Sequence, residues 1–206
     1  MAKNKESFFW TSYSDLMTSL FFIMLTLFVL VIVLLHKRME ATEMQLEEIK
    51  RAEKSTKELN RNYFEYIPDY KKYRLAITVA YPSGEYDINN MIVDNVVKVK
   101  NDLMSAGKEI SKFLENNNDN KYILIIEGQA SNDGYAFNYE LSYQRALGLI
   151  KFWNQKGIKF NNNCEILIAG SGDGTIPTHS MREVGSEVKN QRFLIHILPK
   201  INVEEQ

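Results

Sequence analysis

The feature that most constrains this chain is an uncharged stretch of twenty residues near its N-terminus. Residues 16–35 read LMTSLFFIMLTLFVLVIVLL, and about twenty mostly apolar residues are enough to cross the hydrocarbon core of a membrane as a helix. A signal peptide is the alternative, but its apolar region covers about 7–15 residues and ends at a small-residue cleavage site. Here the stretch continues into His36, Lys37 and Arg38. The sequence therefore predicts a transmembrane helix that is not removed.

Apolar residues begin earlier, at Phe8, so we predict a tail at residues 1–7 and a membrane helix at residues 8–35. Such a helix would be about 42 Å long at about 1.5 Å per residue, longer than the roughly 30 Å core. Asp15 then lies inside the hydrocarbon or at its boundary. The positive-inside rule does not orient the helix, because Lys3 and Lys5 precede it while two basic residues follow it.

Polar side chains in this helix recur at spacings of three or four and share one side. They are Thr11, Asp15, Thr18, Ser19 and Thr26. A polar stripe in lipid is expected to face another helix. Asp15 has two interpretations: a helix cap or interfacial acid, or an ion-carrying carboxylate, since acids within membrane helices commonly mark ion or proton pathways.

Residues 36–62 are highly charged and contain no Gly or Pro. This pattern predicts a helical stalk, and a short apolar repeat through Met39, Thr42, Leu46 and Ile49 leaves a short coiled coil and a solvated single helix both open. With 206 residues, 45% of them apolar, the remainder can hold one modest core. The formal net charge of -1 gives no sign of a nucleic-acid partner.

The remaining residues, 63–206, alternate strand and helix patterns. We predict strands at residues 73–79, 122–127, 165–169 and 193–198, and helices at residues 99–114 and 138–153. The predicted inward-facing residues are Leu103, Ala106, Ile110, Phe113 and Leu114 in the first helix and Leu141, Ala146, Leu149, Ile150 and Trp153 in the second. The fold class is therefore α/β, a small sandwich of helices on one side of a mixed sheet.

Two polar, glycine-rich loops, residues 128–138 and 170–177, follow strands, and the first opens a helix, where backbone donors can hold an anion. Ordinary turn chemistry is the favoured explanation of the second loop. His36, His179 and His196 are scattered, and the single cysteine, Cys164, is most simply a small apolar side chain in a strand. No nucleophile–base pair, metal cluster or phosphate loop is evident, so we expect neither enzymatic activity nor a cofactor.

Residues 10–18, WTSYSDLMT, resemble the W…Y-A-D-[LF]-[ML]-T signature of the membrane helix of MotB-type stator subunits. Downstream, residues 128–146 with Gly170, Gly172, Pro177 and residues 190–192 resemble the OmpA-like peptidoglycan-binding domain, with the pattern G-x-T-D…N-x-x-L-S-x-x-R-A…G-x-G…P…N-R-R. The form F-W-x-S-Y-x-D-L-M-T is more similar to ZorB, the corresponding subunit of the Zorya anti-phage system, than to flagellar MotB.

The resemblance implies that Asp15 carries the transported proton or sodium ion and that Arg145 binds the peptide carboxylate of diaminopimelate, on a helix begun by Asn138. The sequence departs from the pattern where the family has the Asp of T-D, because Ala130 and Ser131 stand there and the loop is one residue shorter. Either Asp133 takes its place or the wall contact is weaker. Gln191 also replaces the first arginine of N-R-R.

The resemblance further implies a homodimer inside a pentamer of MotA/ZorA-like multi-span chains, in the bacterial inner membrane, with a cytoplasmic N-terminus and an extracytoplasmic OmpA-like domain bound to peptidoglycan. Defence of the Zorya type is the favoured role, and a flagellar MotB-type stator is the alternative. A passive peptidoglycan tether without ion transport is a further possibility. An energy transducer of the TolR or ExbD kind also carries an acid in a single span, although the OmpA-like pattern counts against it.

Overall fold

The computed structural model describes residues 3–56, 59–70, 72–176, 181–183 and 187–200. The chain divides into two units between residues 48 and 49, the first formed by a helix and the second containing a sheet. The fold-class prediction, a mixed α/β domain preceded by an apolar N-terminal helix, is confirmed. Pro177 and His179 lie outside the described residues.

Helix α1 runs from Lys3 to Thr56 without a break. It contains no Gly or Pro to interrupt its hydrogen bonds, so the apolar and charged stretches form one helix. Its segment Trp10–Met44 is long and apolar enough to cross a membrane, and none of its most apolar window is buried within the chain. Residues 59–62 of the predicted stalk form a bend and a turn instead of helix.

The second unit contains a five-stranded mixed sheet with the order β1-β2-β5-β3-β4. The strands are β1 (Phe64–Ile67), β2 (Lys72–Leu75), β3 (Tyr122–Gly128), β4 (Cys164–Gly170) and β5 (Phe193–Pro199). Only β3 and β4 pair in parallel, and the other neighbours are antiparallel. The last three strands confirm the sequence predictions, whereas β1 was not predicted.

The strand predicted at residues 73–79 is too long, because β2 ends at Leu75. Its pairing with β5 covers only Tyr73 and Arg74. Beyond it, Ile77 and Val79 remain buried while Thr78 is exposed, so the alternation that suggested a strand is real. It comes from a segment that packs on the core but is not part of the sheet.

Helices α2 (Val96–Asn116) and α3 (Asn138–Gln155) pack against the core. All five inward residues predicted for α2 are buried, as are the predicted residues of α3 except Ile150, which is partly buried against the core. The helices are joined where Trp153 Nε1 donates to the Leu103 carbonyl at 2.7 Å. Phe113 of α2 contacts Tyr122 of β3, with ring centres 5.4 Å apart.

A cluster of polar side chains around the buried Glu127 lies on strands β2, β3 and β5. Glu127 Oε2 is 3.0 Å from Lys72 Nζ and 2.7 Å from His196 Nε2. Burial opposes the ionisation of Glu127, but the hydrogen bonds from His196 and Lys72 outweigh it and lower the pKa of this carboxyl to about 2. Glu127 is therefore ionised in the folded domain except in strong acid.

Candidate functional site

Asp15 lies on α1 and is exposed within this single chain, five residues after Trp10. The hydroxyl groups near it bond to their own helix. Thr18 Oγ1 donates to the Ser14 carbonyl at 2.7 Å and Ser19 Oγ donates to the Asp15 carbonyl at 2.9 Å. Thr26 Oγ1 donates to a carbonyl three residues earlier at 2.8 Å.

These local bonds bear on whether the predicted polar stripe needs a second helix. The hydroxyl groups of Thr18, Ser19 and Thr26 satisfy their donors locally and require no second helix. Any requirement for a partner at this level of the membrane thus falls mainly on the carboxyl group of Asp15.

In the sheet-containing unit, the most unusual group is Arg145 on α3, which is only 2% exposed. Its Nε donates to the Glu85 carbonyl at 3.0 Å, and its guanidinium lies 4.5 Å from the centre of the Tyr81 ring. Nη1 is buried and has no acceptor in the described part of the chain, and the same holds for the Tyr81 hydroxyl. Burial lowers the pKa of Arg145, although the charges of Asp133 and Glu85 partly offset it.

Asp133 is held by the loop that precedes α3. It accepts from the Tyr135 amide at 3.1 Å, from Asn138 Nδ2 at 3.3 Å and from Ser131 Oγ at 3.3 Å. Partial burial raises the pKa of Asp133, but these bonds and one from Ser83 lower it below its usual value. The sequence indicated four residues for wall binding: Ser131, Asp133, Asn138 and Arg145. The structure joins the first three by hydrogen bonds, and Arg145 lies near enough for the charge of Asp133 to raise its pKa.

Asp173, in the second loop, also belongs to this cluster. Asn138 Nδ2 donates to Asp173 Oδ2 at 3.1 Å as well as to Asp133, while Asn138 Oδ1 is buried without a partner among the described residues. Asp173 Oδ1 accepts from the backbone and hydroxyl of Thr175 at 3.0 and 2.7 Å. The sequence pattern favours a simple turn here, and it does not indicate Asp173 because the partner Asn138 is 35 residues away.

Gln191 replaces an arginine of the family pattern and has a structural role of its own. Its Oε1 accepts from the Tyr81 amide at 2.6 Å, and its Nε2 donates to Ser131 Oγ at 3.1 Å. Gln191 therefore connects the segment beneath Arg145 with the loop that carries Asp133.

Two glycines let α3 approach the sheet closely. They are Gly128 and Gly170, which pair with each other at the ends of β3 and β4. A Cβ on Gly128 would lie 2.0 Å from the Ser142 carbonyl oxygen, and one on Gly170 would lie 2.5 Å from the Tyr143 amide. The Gly172 amide also donates to Ser142 Oγ at 2.9 Å. This contact, called here the glycine clamp, fixes α3 and both loops against the strand ends.

The cluster combines a guanidinium with carboxylates. Three of its buried polar atoms have no partner among the described residues: Arg145 Nη1, the Tyr81 hydroxyl and Asn138 Oδ1. Such an arrangement suits a ligand that carries a carboxylate together with a hydrogen-bond donor or an ammonium group. Within the described ranges, no group of three or more His, Cys, Asp or Glu side chains could hold a metal ion.

No protein-family model matches the sequence, and no curated protein matches it. Solved structures with a similar fold include a putative MotB-like protein from Desulfovibrio vulgaris, at 14% identity and a TM-score of 0.48, covering 76% of this chain and 99% of that one. The periplasmic domain of Helicobacter pylori MotB has 17% identity and a TM-score of 0.42, covering 71% and 85%. The peptidoglycan-associated lipoprotein from Burkholderia pseudomallei has 15% identity and a TM-score of 0.36, covering 59% and 88%.

Proposed function

We propose that this chain is a membrane-anchored subunit whose C-terminal domain binds the peptide stem of peptidoglycan and which has no catalytic activity of its own. The observation that carries the proposal is Arg145, a buried guanidinium whose Nη1 lacks an acceptor in the described residues. A ligand carboxylate would supply that acceptor.

The energetics support this assignment. A buried donor without an acceptor costs about 1–3 kcal/mol, and charged groups cost more. Guanidinium and carboxylate groups form strong paired hydrogen bonds, so a peptide carboxylate at Arg145 would offset the penalty. Asp133, the nearby acid, is suited to hold the ammonium group of the same diaminopimelate residue.

Binding to purified sacculi tests the proposal. Arg145→Ala in the full chain is expected to reduce co-sedimentation at least tenfold. Arg145→Lys is expected to recover only part of the binding, because lysine keeps the charge but loses the planar guanidinium that can donate two hydrogen bonds to one carboxylate. Lys98→Ala, which removes an exposed cation on α2, is the matched control and is expected to bind as wild type does. If the Arg145→Ala chain bound sacculi as well as wild type does, Arg145 would not be part of the binding site.

For the membrane unit, we propose that Asp15 is the ion-carrying group of an ion-driven rotary motor of the MotA/MotB type. The neighbouring hydroxyls Thr18, Ser19 and Thr26 bond within α1, which leaves the acid as the group that calls for a partner in the membrane. The sequence around Asp15 also resembles the stator signature. On this proposal the chain is a homodimer within a pentamer of a MotA/ZorA-like protein, with its N-terminus in the cytoplasm.

The proposed role of the motor is anti-phage defence of the Zorya type, which the ZorB-like form of the helix motif supports. A passive wall tether is the second candidate, and the local bonding of the α1 hydroxyls favours it, because most of the helix needs no partner. Purification of the full chain from its native membrane separates the two. A motor subunit brings down a multi-span protein in a ratio of about five to two, whereas a tether brings down none.

A further inference from the structure

Two exposed aromatic rings border the Arg145 cluster, in the loop that leads into α3. Tyr135 is 36% exposed and Phe137 is 59% exposed. Their ring centres lie 5.9 Å apart with an angle of 66° between the planes. Single exposed aromatics are common, but an adjacent pair beside a polar cluster is characteristic of a binding surface.

The position of the Tyr135 ring is built into the fold. The ring lies over Gly84, where an added Cβ would be 3.3 Å from a ring carbon, and Gly84 has a φ of +76° that disfavours other residues. The Tyr135 amide is held by Asp133 at 3.1 Å. Both the ring and its backbone are therefore fixed, which lowers the entropy cost of binding.

The ring pair is continuous with the proposed peptide site. Ser83 bonds to Asp133, and Glu85, two residues later, accepts from Arg145 Nε at 3.0 Å. Residues 83–85 thus support the Tyr135 ring at Gly84 and also join Asp133 to Arg145. A ligand held at Arg145 that continues along this backbone would meet the rings.

We propose that Tyr135 and Phe137 form a platform for the glycan of the same peptidoglycan ligand, stacking on the C–H face of an N-acetylated amino sugar. This inference rests on the proposed function. Aromatic faces carry partial negative charge and attract the positive C–H groups of a pyranose ring, and neither side chain carries a charge that an uncharged sugar would have to desolvate. The stem peptide is covalently joined to the glycan, and three extended residues span only about 10 Å, so the sugar lies within reach.

The test compares two ligands that differ only in the sugar: a disaccharide–peptide fragment of peptidoglycan and the same peptide without the disaccharide. Affinities are measured by calorimetry with the full chain in detergent micelles. Wild type is expected to bind the sugar-bearing ligand about three- to tenfold more tightly, the range typical of one or two aromatic contacts. Phe137→Ala is expected to bring this ratio close to one while leaving the affinity for the bare peptide unchanged.

Two further variants sharpen the result. Phe137→Leu keeps an apolar side chain but loses the ring, so it too is expected to lose most of the ratio. Tyr70→Ala removes an aromatic that is 43% exposed on the short 3₁₀ helix before β2, and it is expected to keep the wild-type ratio.

A wild-type ratio of one would overturn the platform but leave the proposed peptide site standing, provided that the bare peptide binds and Arg145→Ala abolishes its binding. If wild type bound neither ligand, the proposed function would fail and the platform with it. If Phe137→Ala changed the self-association of the chain but left the ratio of the two affinities unchanged, the rings would be a contact with a second copy of the chain. That result would also overturn the platform.

Discussion

In the two units of this chain, polar groups find hydrogen-bond partners at very different separations along the sequence. In helix α1, Thr18, Ser19 and Thr26 donate to carbonyls three or four residues earlier. In the sheet-containing unit, Asn138 reaches an acceptor 35 residues away, and Gln191 accepts from an amide 110 residues earlier in the chain.

This difference separates what each unit can do alone. A helix that closes its own hydrogen bonds can enter a membrane before it meets any partner. The buried polar groups of the second unit depend on loops that are distant in sequence, so these loops are expected to fold together or not at all.

The largest expected effect comes from Asp15→Asn, which keeps the size and polarity of the side chain but cannot ionise. With the multi-span partner present, we expect complete loss of ion flow into vesicles and of phage protection or motility, with unchanged amounts of the protein in the membrane. Glu40→Gln, which neutralises an exposed acid later in α1, is the matched control. Ion flow at the wild-type rate through the Asp15→Asn complex would exclude Asp15 as the carrier.

Gly128→Ala tests the glycine clamp. The added Cβ would meet the Ser142 carbonyl oxygen at 2.0 Å, and neither backbone can move without separating α3 from the sheet. We expect the free energy of unfolding of the second unit to fall by at least about 3 kcal/mol, measured by chemical denaturation of the full chain in micelles.

Gly148→Ala, within α3, is the control for the clamp, since its nearest neighbour would be the Tyr86 carbonyl at an ordinary 3.5 Å. There we expect a gain of roughly 0.5–1 kcal/mol from helix propensity. Similar losses for the two alanine variants would show that the close approach is not what matters.

Glu127 is expected to make a large contribution to the acid dependence of the domain's stability. Its pKa is about 2 when folded, against a usual 4.5, so its stabilisation is fully present above about pH 4.5 and is lost as the pH falls toward 2. The difference corresponds to roughly 3 kcal/mol. Glu127→Gln is expected to lower stability by about this amount at pH 7 and to flatten the dependence between pH 5 and 2.

Glu165→Gln, on the neighbouring strand, is the comparison for Glu127. Glu165 pairs with Lys200 at the surface, and exposed pairs contribute about 0–1 kcal/mol. Its unfolding curve is expected to follow that of wild type across the same pH range, and an equally flattened curve would argue against the hydrogen bonds of Glu127 with His196 and Lys72 as the cause.

The smallest expected effect is that of Ser19→Ala, together with Thr18→Val. Because both hydroxyls bond within α1, we expect ion flow within about twofold of wild type, measured in the same vesicles as for Asp15→Asn. A loss of ion flow as complete as that of Asp15→Asn would mean that these hydroxyls contact the ion or a partner. The contrast between local bonding in α1 and distant bonding in the second unit would then be wrong.

Local patterns predicted most of the fold. The inward faces of α2 and α3 followed from residue spacing, and three strands from apolar runs. β1 was missed because four residues with one glutamate carry too little pattern, and its place is set by pairing with β2. The predicted length of β2 was wrong because alternating burial continues after the pairing stops.

The candidate site was predicted only in part. Ser131, Asp133, Asn138 and Arg145 were indicated by a linear motif, and the structure brings them together. Glu85 and Asp173 were not indicated, because each joins the site through a partner far away in sequence. Gln191 was noted only as a departure from the motif, and its bond to the Tyr81 amide could not be predicted because the two residues are 110 positions apart. The role of Asp15 stays a prediction.

The glycine clamp has an evolutionary consequence. Since the spacing between α3 and the strand ends leaves no room for a Cβ at Gly128 or Gly170, changes in the flanking loops that spare these two glycines are expected to leave that spacing intact. The loops can therefore vary, and with them the ligand, only while both positions remain glycine.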